Sequence, residues 1–195
     1  AKRARIAAGL GGQGIDAAVL TAPDSIAWLL NIRGGDVPHT PLPLSFAVLH
    51  RDESVDLFID RRKVGSELPS YLGNAVRLAD PAGFGAFLEN LAADGKRVLA
   101  DPALSAAWVF DRLGDAAVRA SDPCQLPKAC KNAVELEGTR AAHRRDGAAL
   151  TSFLAWLARE APSGKLREIE ISDRLEAFRR GGTNFRDCSF PTISG

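Results

Sequence analysis

The sequence predicts an α/β fold, a mixed sheet with flanking helices that leads into a shorter helical stretch, and three observations carry that expectation. Apolar runs of strand length alternate with helical patterns from Ile15 to Val118. One pair of runs is joined by the tight, polar segment His50-Arg51-Asp52-Glu53, the mark of a hairpin in an otherwise parallel layer. Strand signals largely stop at Ser121–Pro127, where two prolines punctuate the chain and long helical patterns take over.

In order, Lys2 to about Gln13 reads as a short basic helix, and the run Ile15–Leu20 as a buried strand. Pro23-Asp24-Ser25 opens a second helix with Ile26, Leu29 and Leu30 on its apolar surface, and Gly34-Gly35 is expected to close it. Pro38, Pro41 and Pro43 cannot donate ladder hydrogen bonds, so the next strand is expected from Leu44 to Leu49. Val55–Ile59 returns as its partner, with Val55, Leu57 and Ile59 alternating against Asp56 and Phe58. Strands at 76–78, 98–100 and 117–118 then alternate with helices at 84–91 and 104–113. Residues 1–122 form the first expected domain and 123–195 the start of a second. The first holds 13 basic and 15 acidic side chains, the second 12 and 9. Asn132-Ala133-Val134-Glu135 has the spacing of a capping box and should start a long helix that Pro162-Ser163-Gly164 stops. A further helix carries Ile171, Leu175 and Phe178 and ends at Gly181-Gly182, before a terminal strand expected over Cys188–Ile193. Two helices and one strand cannot enclose a core, so this second domain reads as truncated.

Composition narrows the function classes. Across 195 residues, 46% hydrophobic and 25% charged side chains mark a chain that buries a core, not a disordered one. The net charge is +1, and no run of like charges exceeds three, so neither nucleic acid nor a membrane surface is an expected partner. The most apolar stretch, Leu42–Leu49, is short and broken by Pro43 and Ser45, so no spanning helix is expected, and glycines interrupt the basic N-terminus where a signal peptide would need its apolar core. The absence of any methionine implies a chain that begins inside a longer gene product. Cys124, Cys130 and Cys188 lack the spacing of a zinc or redox motif, which points to thiols in a cytoplasmic setting.

Few residues carry chemistry by themselves. Gly9-Leu10-Gly11-Gly12-Gln13-Gly14 matches the dinucleotide fingerprint in letters, but its glycines follow a helix and precede a strand, the reverse of what a pyrophosphate site requires, so they read as a helix cap and loop. No G-x-S-x-G elbow accompanies the three histidines, His39, His50 and His143. His143 and Asp146 lie three apart on one helical face, a spacing that serves structural hydrogen bonding more readily than metal ligation. Arg33, Asp36 and His39, in a loop rich in glycine and proline, form the most site-like constellation. Trp28, Trp108 and Trp156 fall on helices and read as packing or interface residues. Asp101-Pro102 and Asp122-Pro123 are turn signals.

Three stretches resemble one family. Ala22-Pro23-Asp24-Ser25-Ile26-Ala27-Trp28-Leu29-Leu30-Asn31-Ile32-Arg33-Gly34, with Asp36-Val37-Pro38, resembles the middle-domain signature of long, three-domain aminopeptidase P. Lys128–Gly138 followed by Arg140–Leu150 is similar to that family's entry into its catalytic domain, and Phe178-Arg179-Arg180 with Asp187–Gly195 is similar to its first catalytic strand. The resemblance implies a creatinase N-terminal-like middle domain over residues 1–122, then the first helices and strand of a pita-bread catalytic domain. It implies a Xaa-Pro aminopeptidase, a cytoplasmic homodimer that takes proline-containing peptides and uses two divalent metal ions, usually manganese, to activate a bridging water. The family's two Asp, one His and two Glu ligands match no position of this chain, so no catalytic, cofactor-binding or metal-binding residue is assigned to it, and the stretch alone should be inactive. A non-catalytic pita-bread module and a prolidase or creatinase relative are the alternatives.

Overall fold

Among the described residues, six strands and eight helices place nearly all of the apolar periodicity described above. A computed structural model describes residues 1–193 and shows two compact units, Ala1–Cys130 and Lys131–Gly195. In the first, the chain runs α1 (Lys2–Gly12), β1 (Ala17–Leu20), α2 (Pro23–Leu30), β2 (Phe46–His50), β3 (Val55–Phe58), α3 (Leu68–Leu72), β4 (Val76–Ala79), α4 (Phe84–Ala93), β5 (Val98–Ala100), α5 (Ala107–Leu113), β6 (Ala117–Arg119) and α6 (Gln125–Ala129). The strands form one sheet in the order β4-β3-β2-β1-β5-β6. Only β2 is antiparallel to its neighbours, so the other five strands point the same way and their carboxyl ends share one edge.

Alternation along the strands divides the core between two faces. Ala18, Leu20, Leu49, Leu57 and Leu99 pack under α1 and α2 through Ile6, Leu10, Ile26 and Leu29. Val19, Val48, Phe58 and Val98 pack on the other face under Phe84 and Leu88 of α4 and Val109 and Leu113 of α5. Burial on both faces explains why β1 reads as an unbroken apolar run.

Several boundaries depart from the sequence expectation for identifiable reasons. Helix α1 runs through Gly9, Gly11 and Gly12, because Ile6, Ala7 and Leu10 bury against the sheet and outweigh glycine's low propensity; Gly14, at φ +65°, makes the turn. Helix α2 stops at Leu30 and not at Gly34-Gly35, since Asn31 adopts the left-handed conformation and donates its N–H to the Ala27 carbonyl. Strand β2 begins at Phe46 because the Leu44 N–H is taken by the Asp36 carboxylate at 2.7 Å. Helix α5 starts at Ala107, three residues late, as Asp101 holds the Ala103, Leu104 and Ser105 N–H groups in a turn. The short helices α3 and α6 carry too little periodicity to be read in advance. The first unit also reaches past the prolines of 121–127, for Cys124 is fully buried in its core.

In the second unit, α7 (Ala133–Glu160) and α8 (Glu168–Arg180) pair as a helical hairpin. The expected capping box closes the start of α7: Glu135 N–H donates to Asn132 Oδ1 and Asn132 N–H to Glu135 Oε2, both at 2.9 Å. Phe153 packs edge-on against Phe178, and Arg174 lies over both Trp156 and Phe178. The strand expected at Cys188–Ile193 is not formed: these residues pair with no other strand, and extended backbone is a strand only when a neighbour completes its ladder. Ser194 and Gly195, the end of that stretch, lie outside the described residues.

Candidate functional site

The loop from Asn31 to Ser45 is held by several contacts. Its close folding begins at Gly34, where a Cβ atom would stand 2.7 Å from the Pro43 backbone, so only glycine fits. Val37 and Thr40 form an isolated antiparallel bridge, and His39 between them sits at φ +59°. Asp36 anchors the loop at two points, accepting the Leu44 N–H at 2.7 Å and the Lys63 ammonium at 2.6 Å. The hydrogen bond from Lys63, reinforced by that from Leu44, holds the Asp36 carboxyl below the usual range, so it is ionised at neutral pH. The Arg33 guanidinium donates to the Ile32 carbonyl at 2.8 Å and is otherwise exposed. Arg33, Asp36 and Lys63 line one cavity of about 290 Å³ with Ile32, Pro43 and Ile59. Because Ile59 directly follows β3, the cavity opens at the shared carboxyl edge of the sheet, where α/β folds habitually place their ligands.

The constellation read from sequence is thus two-thirds assembled, Arg33 and Asp36 lining the cavity that His39 does not line. Lys63 was missed. It ends the basic triplet Arg61-Arg62-Lys63, which looks like a solvated charge run, and nothing in the spacing links residue 63 to residue 36.

The other candidates resolve into structural roles. His143 Nδ1 lies 2.9 Å from the Thr139 carbonyl and Asp146 accepts from Arg179 at 2.8 Å, so the pair shares a face without bonding to each other. His50 is not in a turn but at the end of β2, with Nε2 at 2.7 Å from Asp56. Trp28, Trp108 and Trp156 lie on α2, α5 and α7, and the Lys2 ammonium sits 4.6 Å from the centre of the Trp28 ring. Cys124, Cys130 and Cys188 carry thiols. Among the described residues no three His, Cys, Asp or Glu side chains converge as metal ligands would, and no helix is long and apolar enough to cross a membrane.

Residues 1–135 match the family described as the creatinase/prolidase N-terminal domain. The chain belongs to that family. Over 93% of its length the chain is similar to Xaa-Pro aminopeptidase 1 of Dictyostelium discoideum, at 36% identity, and to aminopeptidase P2 of Arabidopsis thaliana, at 33%. It covers 30% of each of those proteins, so the chain spans about a third of the length of the curated relatives it matches. Among solved structures, an X-prolyl aminopeptidase from Caenorhabditis elegans, described as a cytosolic enzyme with a di-nuclear active site, superposes over the whole chain with a TM-score of 0.92 and 30% identity, the match covering 33% of that enzyme. A Xaa-Pro dipeptidase from Bacillus anthracis shares the fold at a TM-score of 0.65 and 18% identity.

Proposed function

We propose that this chain is the scaffold portion of a metal-dependent Xaa-Pro aminopeptidase, an enzyme that removes the N-terminal residue from peptides with proline in second position. The observation that carries the reading is the match of the entire chain, both units included, to the X-prolyl aminopeptidase of C. elegans. A likeness of this extent at 30% identity supports a shared reaction better than the fold-only likeness to the dipeptidase. On this reading the first unit, Ala1–Cys130, is the creatinase-like middle domain, and the chain from Lys131 opens a pita-bread catalytic domain. The complete protein is a cytosolic homodimer that holds two divalent ions, manganese by preference, on ligands outside this stretch. Among the described residues the donors do not converge as such a metal pair requires, and no chemical step is assigned to them.

The test is an assay of the longer protein containing this chain on Ala-Pro-Ala and Ala-Ala-Ala, before and after chelation. Release of alanine from the first peptide alone, abolished by chelator and restored by manganese, is the expected result. Equal cleavage of both peptides, or activity indifferent to chelation, overturns the proposal.

A further inference from the structure

The cavity at the carboxyl edge of the sheet holds one cation more than its own anions require. Ile32, Pro43, Ile59 and Leu68 give it apolar walls, and the backbone of Gly34 and Gly35 contributes part of its lining. Of the three charged side chains that line it, Asp36 and Lys63 compensate each other at 2.6 Å. Among the described residues Arg33 has no such partner. A guanidinium carries five N–H donors in a planar fork. Apart from the bond from Nη1 to the Ile32 carbonyl, those of Arg33 meet no acceptor among the described residues. The walls do not need a ligand to form, since the contact of Gly34 with Pro43 and the two bonds to Asp36 fix the loop already.

A preformed concavity with apolar walls beside a single guanidinium that no anion compensates among the described residues selects a monoanion attached to an apolar group. A phosphate is a poor match, because its second charge would find no second free cation and its oxygens would face Ile32, Pro43 and Ile59. We infer that this cavity receives the C-terminal residue of a peptide, the α-carboxylate on Arg33 and the apolar side chain against Pro43 and Ile59. The inference rests on the cavity alone and stands whether or not the longer protein is a peptidase.

The test is titration of the ¹⁵N-labelled longer protein containing this chain with Ala-Pro-Leu, with the same peptide as its C-terminal amide, and with inorganic phosphate, following the Gly34 and Gly35 amides and Arg33 Nε–H. The free acid should shift these signals saturably. The amide should bind roughly tenfold more weakly or worse, the scale of one lost charge-assisted hydrogen bond. Arg33 is exposed, so Arg33→Gln should leave the remaining spectrum unchanged while abolishing the response, and Arg33→Lys, which lacks the fork, should weaken it. Equal shifts from acid and amide, competition by phosphate at matching concentration, or an undiminished response in Arg33→Gln would each overturn the inference.

Discussion

His50 Nε2 lies 2.7 Å from Asp56 Oδ2, the same carboxylate that Arg77 grips through Nε on Oδ1 and Nη2 on Oδ2, both at 2.9 Å. Asp56 is only 4% exposed and sits mid-strand in β3, directly opposite Arg77 of β4 in the parallel register. A buried carboxylate is costly unless every oxygen is met, and here side chains from both neighbouring strands meet it. The three residues therefore tie β2, β3 and β4 together on the face of the sheet where Val48 and Phe58 are buried.

Replacing that charge should be costly and pH-dependent. Burial by itself would raise the Asp56 pKa, but the hydrogen bonds from His50 and Arg77 outweigh it and the pKa is lowered. A carboxyl depressed below its unfolded value of about 3.9 adds stability that is complete above that pH and lost as pH falls through the folded value. Asp56→Asn should cost about 2 kcal/mol at pH 7, the scale of a hydrogen bond to a charged group. The penalty should shrink as urea unfolding is repeated from pH 5 downward, and a pH-independent penalty would show that the charge is not what matters.

Gly34→Ala tests the loop. The added methyl would meet Pro43 at 2.7 Å, contact with backbone that cannot swing aside as a side chain does. A loss of about 1–3 kcal/mol is expected from such overpacking. Gly35→Ala, with open space around it, should be close to neutral. Thermal unfolding of the two variants side by side checks the contrast.

Asn132→Ala removes one half of the capping box and should cost about 1 kcal/mol of helix stability. Amide exchange is the measurement: protection should fall at Glu135 and Leu136 in the first turn of α7, and amides in β5 of the other unit should be unchanged.

The cysteines should separate by reactivity. Cys124 is fully buried, and burial, with Asp122 beside it, pushes its thiol pKa up. Cys130 is exposed. A thiol reagent should therefore modify Cys130 early and Cys124 only as the chain unfolds, with three thiols counted in denaturant. Rapid labelling of Cys124 in the native chain would contradict the packing described.

The fold was legible in the sequence wherever burial imposes a period, as in β1 and α4, and wherever a local motif is self-contained, as in the Asn132–Glu135 box. It was illegible where distant side chains decide. The start of β2 depends on Asp36 taking an amide eight residues away, and the missing strand at 188–193 depends on a neighbour that no local pattern reports. The candidate site divides the same way. A loop dense in glycine and proline pointed to Arg33 and Asp36, whereas Lys63 became meaningful only through its pairing with Asp36, 27 residues away.

On the proposed reading residues 1–195 supply scaffold, and the dinuclear chemistry resides in other parts of a longer protein. Equilibrium dialysis against manganese, with metal counted per chain and Ala-Pro-Ala hydrolysis measured on the same samples, tests it most directly. The 195-residue chain should retain no tightly bound manganese and release no alanine, while the longer protein should retain two ions and cleave the peptide. Manganese-dependent release of alanine by the 195-residue chain would contradict the account.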